Sequence, residues 1–212
     1  GLTSSDQYAA IMYMQSRMNS SVKKVNVYSA LKARKDEYIY FRTDHHWTAL
    51  GAYYAYCEFV KSMGLEPNTL DSYECINMGQ FNGSFCSQTG AASLKNNPDN
   101  VVAYKPISTN SMKFLKKGAM INYNIITDVS DWNKSSKYSA FIGGDNAYSQ
   151  INAFVPFIAD HFQDIYVIDY RYYSGTISDL VKEKDIGTVL LLNNVAATST
   201  DVRINELKKV CR

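Results

Sequence analysis

The chain has 212 residues, 46% hydrophobic and 20% charged, which is enough apolar material for a full globular core. A net charge of +2 supplies no basic surface for nucleic acid or an anionic membrane. No apolar run reaches the roughly 20 residues of a spanning helix.

The first predicted element is a helix over SDQYAAIMYMQSRMNS, opened by a capping serine. A short strand is expected at VNVY and an extended piece at EYIYFRTD. A long helix, WTALGAYYAYCEFVKSMG, follows and stops at Gly64, a natural C-cap. From about 65 to 135 the chain is rich in Asn, Ser and Gly, with short β runs at YECINM, VVAYK and MINYNII. This stretch reads as a β-rich insert of hairpins. Beyond Lys137 strands and helices alternate: SAFI, SQINAFVPFIADHF, DIYVIDYRYY, TISDLVKEK, GTVLLLNN and DVRINELKKVC. Apolar strands alternating with helices predict a parallel sheet covered on both faces. Ligands would then bind beyond the carboxyl ends of the strands, at Asp145-Asn146, Asp169 to Tyr173 and Asn193-Asn194.

Two short stretches carry the chemistry. Phe141 to Tyr148 read FIGGDNAY, a strand entering a Gly-rich turn before a helix. Hydrolases place a nucleophilic serine at such turns, yet this one holds Asn146. Arg42 to Thr48 read RTDHHWT, with two of the three histidines beside an acid and ahead of a helix. Two residues apart in an extended loop, Asp44 can orient the His46 imidazole, the acid–base half of a catalytic triad, with His45 pointing the other way. Two other readings stay open: Asp44 as a plain helix cap, and a metal ion held with His161 or Asp145. Arg171 is open too, between ligand contact and an ion pair with Asp169 or Asp145. Seventeen tyrosines suit a sugar-binding surface, and a compositional bias accounts for them equally well. Among the cysteines, Cys57 falls on a helix and reads as a buried thiol, while Cys75 and Cys86 could bridge a hairpin in an exported protein. The absence of a C-x-x-C pair disfavours zinc and thioredoxin chemistry.

RTDHHWTALGAYYAY resembles the DHHW proteins of Gram-positive bacteria, and more loosely so do FNGSF, GGDNAYSQI and DIYVIDYRYY through VLLLNNV. These proteins are similar to the periplasmic O-acetyltransferases of alginate modification, whose corresponding motif is Asp-Thr-His-Trp. The resemblance implies an α/β, three-layer SGNH-hydrolase-like (flavodoxin-like) parallel sheet in one domain over 1–212. His46 would be the base, Asp44 its orienting acid, and Trp47 would pack beneath them. Gly144-Asp145-Asn146 matches the family's Gly-Asp-Ser turn in two positions and departs at the nucleophile.

The expected function is therefore that of an exported component of a cell-surface polysaccharide O-acetylation system, its signal peptide removed. It would bind glycan or acyl-glycan with little or no esterase activity. The alternative is an active O-acetyltransferase or esterase using an unusual nucleophile, Ser84, Ser149 or Ser139, or a water activated by His46 with Asn146 as oxyanion donor. Trp47, Asp145, Tyr148, Arg171, Tyr172, Tyr173, Asn193 and Asn194 are the candidate binding residues. No cofactor and no metal are expected. The expected partners are the polysaccharide and a membrane-bound O-acyltransferase.

Overall fold

The structure, a computed structural model, describes residues 6–108, 111–116, 119–123, 147–195 and 200–212. Helix α1, Gln7–Arg17, is capped by Asp6, whose carboxylate accepts from Ala9 N, rather than by a serine. VNVY does not form a strand. Asn26 accepts from Ser29 N and starts a short helix, α2, Val27–Lys32, so a capping side chain overrides the β-formers around it.

Helix α3, Ala49–Ser62, begins where Thr48 Oγ1 accepts from Gly51 N and is followed by Gly64 at φ 78°. Asp44 is therefore not its cap. Within α3, Gly51 is required by a close approach: a Cβ there would lie 2.4 Å from Ile39 O. This lets the helix start press against the segment that leads into the Asp44 loop.

Strand β1, Glu74–Phe81, pairs antiparallel with β2, Asp99–Lys105. Two short helices, α4, Ser84–Thr89, and α5, Ala92–Lys95, connect them. Strand β3, Ser111–Lys116, pairs antiparallel with β4, Ala119–Tyr123, and parallel with β5, Asp164–Val167. The last helices are α6, Ala147–Ile158, α7, Ile177–Lys184, and α8, Asp201–Val210.

This corrects the expected three-layer parallel sheet. Among the described residues there is a two-stranded antiparallel sheet and a three-stranded mixed one, with a single parallel pairing. Two particulars account for it. The 65–135 stretch places its strands in antiparallel pairs, and the apolar run GTVLLLNN enters no described ladder. Val189, Leu190 and Leu191 are exposed and line an apolar cleft of about 410 Å³ with Ile165, Leu180 and Leu207. An apolar run alone does not make a strand; it also needs a neighbour with which to share backbone hydrogen bonds. The expected SAFI strand and the FIGGDN turn lie outside the described residues.

The core forms where α3 crosses α6. Tyr56, Phe59 and Val60 meet Phe154, Val155, Phe157 and Ile158, and Tyr73, Ile165 and Val167 close it. The Tyr56 and Phe157 rings stack at 5.5 Å. Fully burying each such side chain contributes about 2 to 3 kcal/mol. The tyrosine hydroxyls stay satisfied: Tyr56 OH accepts from Asn68 N at 2.8 Å and lies 2.8 Å from His161 Nε2. His161 thus belongs to the core network and not to the Asp44 loop.

All four cysteines are free. Cys57 is half-buried rather than buried, and Cys75 and Cys86 form no bridge.

Candidate active site

Residues 40 to 47 are a closed loop, not an extended piece. Tyr40 bridges Trp47, Phe41 N donates to His46 O at 3.1 Å, and Thr48 N donates to Ile39 O at 2.9 Å. Between these ties the chain bends through Arg42 to His46, which brings adjacent side chains together. Asp44 and His46 are almost fully buried, while the His45 side chain is about one-third exposed.

The Asp44 carboxylate is the hub. Oδ1 accepts from His46 N at 2.9 Å and from the His46 Nδ1–H. Oδ2 accepts from Ser84 N at 2.8 Å. Burial pushes the Asp44 carboxyl up, but the His46 ring, the Ser84 N–H and the His46 N–H together outweigh it and hold the pKa at about 2. Asp44 is thus a carboxylate throughout the neutral range. With Nδ1 carrying the proton toward Asp44, His46 Nε2 is the basic nitrogen. His45 does not point away. Its ring lies on that of His46 at 3.9 Å, and its Nδ1 sits 2.8 Å from Ser84 Oγ and 3.8 Å from Asp44 Oδ1.

Two distant segments hold the loop in this shape. Asp99, wholly buried at the start of β2, accepts from Thr43 N at 2.8 Å, Thr43 Oγ1 at 2.6 Å, Arg42 N at 3.1 Å and the Tyr38 hydroxyl. Burial raises its carboxyl, but the Thr43 and Tyr38 hydroxyls and these N–H groups win and keep it below the usual range. Thr43 Oγ1 in turn accepts from Gly83 N at 2.9 Å, and Thr43 O accepts from Phe85 N. The first turn of α4 thus spends its N–H groups on the Asp44 loop. Gly83 is needed for this contact: a Cβ there would lie 2.3 Å from Asp44 Cβ.

An acid transition should follow from Asp44. Its folded pKa, about 2, lies below the ordinary 3.8. The carboxylate therefore stabilises the fold fully above pH about 4, and that contribution is lost as the pH falls through 2. The contribution is about 2 kcal/mol. Urea unfolding of the wild type and of Asp44→Asn at pH 5 and pH 2.5 should show a stability gap that narrows in acid. A gap independent of pH would refute it.

The other predicted site residues are placed as follows. Trp47 is half-buried and packs against the α3–α6 core. Arg171 makes the internal ion pair: Nε donates to Asp169 Oδ1 at 2.8 Å and to Oδ2 at 3.0 Å, with both side chains buried. Tyr172 is 73% exposed and faces the Arg171 guanidinium at 5.2 Å. Tyr170 OH donates to Asn193 Oδ1 at 3.3 Å, drawing that turn to Asn193, which is half-buried, while Asn194 is exposed. Tyr173 OH donates to Thr176 O at 3.4 Å. Tyr148 lies in the first turn of α6, as does Ser149. Asp145, Asn146 and Ser139 lie outside the described residues. Asp99, Thr43 and Gly83 were missed. The RTDHHWT and FNGSF motifs pointed at their neighbours, but nothing local marks Asp99.

Asp44, His45 and His46 offer three ligand atoms within 4.8 Å of one another, the only such cluster among the described residues. The donor set fits a cation poorly as it stands. Both Asp44 oxygens are taken by N–H groups, and His46 Nδ1 carries the proton it gives to Asp44, so Asp44 is a poor ligand and His46 would have to ligate through Nε2. The arrangement instead suits proton transfer: an ionised, desolvated acid orienting one imidazole, with a second imidazole against a hydroxyl.

No curated protein matches the chain. A crystal structure of a DHHW family protein from Eubacterium siraeum, at 1.49 Å, is similar to it with a TM-score of 0.80 and 25% sequence identity. The alignment covers 98% of this chain and 76% of that one. The family model described as DHHW protein matches residues 1–189, and Asp44, His45, His46 and Trp47 are the four residues that spell its name. A match over so much of the sequence, which includes the Asp44 loop, makes this chain a member of the DHHW protein family.

Proposed function

We propose that the protein acts on ester-linked acetyl groups of a cell-surface polysaccharide, outside the cytoplasm, as part of an O-acetylation system. The observation that carries this reading is the buried Asp44 carboxylate bonded to the His46 Nδ1–H. That pairing leaves Nε2 basic and places a fixed negative charge where an imidazolium forms during acyl transfer. The sequence resemblance to alginate-modifying O-acetyltransferases supplies the substrate class. A membrane-bound O-acyltransferase would be the natural source of acyl groups. Among the described residues no helix is long and apolar enough to cross a membrane.

A second reading is favoured by Asn146, which stands in the sequence where the acetyltransferases it resembles would carry the nucleophile. On that reading the protein binds acylated glycan without turning it over.

Release of acetate from an O-acetylated polysaccharide and from para-nitrophenyl acetate separates the two. We expect turnover that falls about 10²- to 10⁴-fold in His46→Gln, the usual contribution of a positioned base. Glycan binding with no turnover by the wild type would leave the second reading. Neither binding nor turnover would sink both.

A further inference from the structure

We propose that Ser84 is the acyl-carrying nucleophile of this site, with His45 as the base that takes its proton. The inference rests on the ester-transfer reading above and adds a residue that the motif comparison does not assign.

Ser84 is held from both ends. Its N–H is fixed on Asp44 Oδ2, and its Oγ lies 2.8 Å from His45 Nδ1. The contact is within the range at which a serine hydroxyl hands its proton to an imidazole. A hydroxyl rotor can donate here, which leaves His45 neutral with its proton on Nε2. Once His45 takes the Ser84 proton, the imidazolium sits 3.8 Å from Asp44 Oδ1. One carboxylate thus serves two imidazoles: it binds the His46 N–H directly and faces the charge that forms on His45. The His45 side chain is about one-third exposed, so the pair lies near the surface. The nearby Ser87 does not compete, because its Oγ donates to Ser84 O at 3.0 Å within the same helix.

The chemistry balances in two steps. In the first, Ser84 Oγ bonds to the ester carbonyl carbon, and the bond from that carbon to the sugar oxygen breaks. The serine proton passes through His45 to the departing oxygen. In the second, a water or acceptor hydroxyl attacks the acyl-serine, and the bond from Ser84 Oγ to carbon breaks. The attacker's proton is taken by His45 and returned to Ser84 Oγ, so the ring and the serine end as they began. No oxidant or further co-reactant is required.

The test is to mix the protein with para-nitrophenyl acetate, quench with acid, and locate any acetyl group by peptide mass spectrometry while recording turnover and the thermal midpoint. We expect one acetyl group on the peptide containing Ser84. Ser84→Ala should lose that group and at least about 100-fold in turnover. His45→Gln should slow its appearance about 100-fold. Ser84→Cys, which retains a nucleophile and the backbone contact to Asp44, should take the label as a thioester even if Ser84→Ala folds poorly. Wild-type turnover that persists in Ser84→Ala, or an acetyl group on another residue, overturns the assignment while leaving the ester-transfer reading in place. A wild type that neither turns over nor labels removes both.

Discussion

Asp44→Asn should lower turnover of an acetyl ester by about 10⁴-fold while leaving the fold largely intact at neutral pH. The argument is one of donors and acceptors. In the wild type Oδ1 accepts from the His46 backbone and ring, and Oδ2 accepts from Ser84 N. An asparagine has one acceptor oxygen and one NH₂ group for these two positions. If the oxygen stays on the His46 side, the NH₂ meets the Ser84 N–H, donor against donor, and the serine end of the site is pushed away. If the amide turns over, the NH₂ faces His46, whose ring must move its proton to Nε2 and so ceases to be the base. Either arrangement also removes the negative charge that an imidazolium needs. Steady-state kinetics with para-nitrophenyl acetate, alongside thermal melting, would check this. Activity within tenfold of wild type would show that Asp44 only shapes the loop.

Asp99→Ala should destabilise the fold by about 4 kcal/mol, the range for removing one partner of a buried charged network. Tyr38, Thr43 and the Arg42 backbone all donate to this wholly buried carboxylate. Truncation would leave the buried Thr43 donors without an acceptor. The Arg42 guanidinium, half-exposed and 3.2 Å from Asp99 Oδ1, would lose little by comparison, since solvent screens it. Activity should fall with stability, because Thr43 links Asp99 to Gly83 and so positions Ser84 against Asp44. Denaturant unfolding measures the first effect. A loss under 1 kcal/mol would mean that water or another donor set fills the gap.

How much of this could be read from the chain divides by sequence distance. The ends of α3 were legible because Thr48 and Gly64 act on their own neighbours. So was the Asp44–His46 hydrogen bond, which spans two residues. Helices α7 and α8 followed from local spacing in the same way. VNVY failed because Asn26, its second residue, caps a helix that begins at Val27. GTVLLLNN failed because pairing depends on a partner strand that no local pattern specifies. The hold of Asp99 on Thr43 reaches across 56 residues, and that of Ser84 on Asp44 across 40. Neither end of such a pair carries a mark that names the other.

The anchoring of the Asp44 loop by Gly83, Ser84 and Asp99 also sets when the site exists. During synthesis the loop leaves the ribosome long before β2 is made, and contacts at such separation form slowly because the intervening chain must first close. The histidines therefore acquire their geometry late, after α4 and the β1–β2 ladder have docked. The reverse also holds in the finished protein. A partial opening confined to residues 82 to 99 would dismantle the catalytic arrangement while the α3–α6 core stayed packed. Amide exchange at Gly83, Ser84 and Thr43 should then report one shared opening, faster than that of Tyr56 or Val60, and its frequency would set the fraction of molecules able to react at any instant.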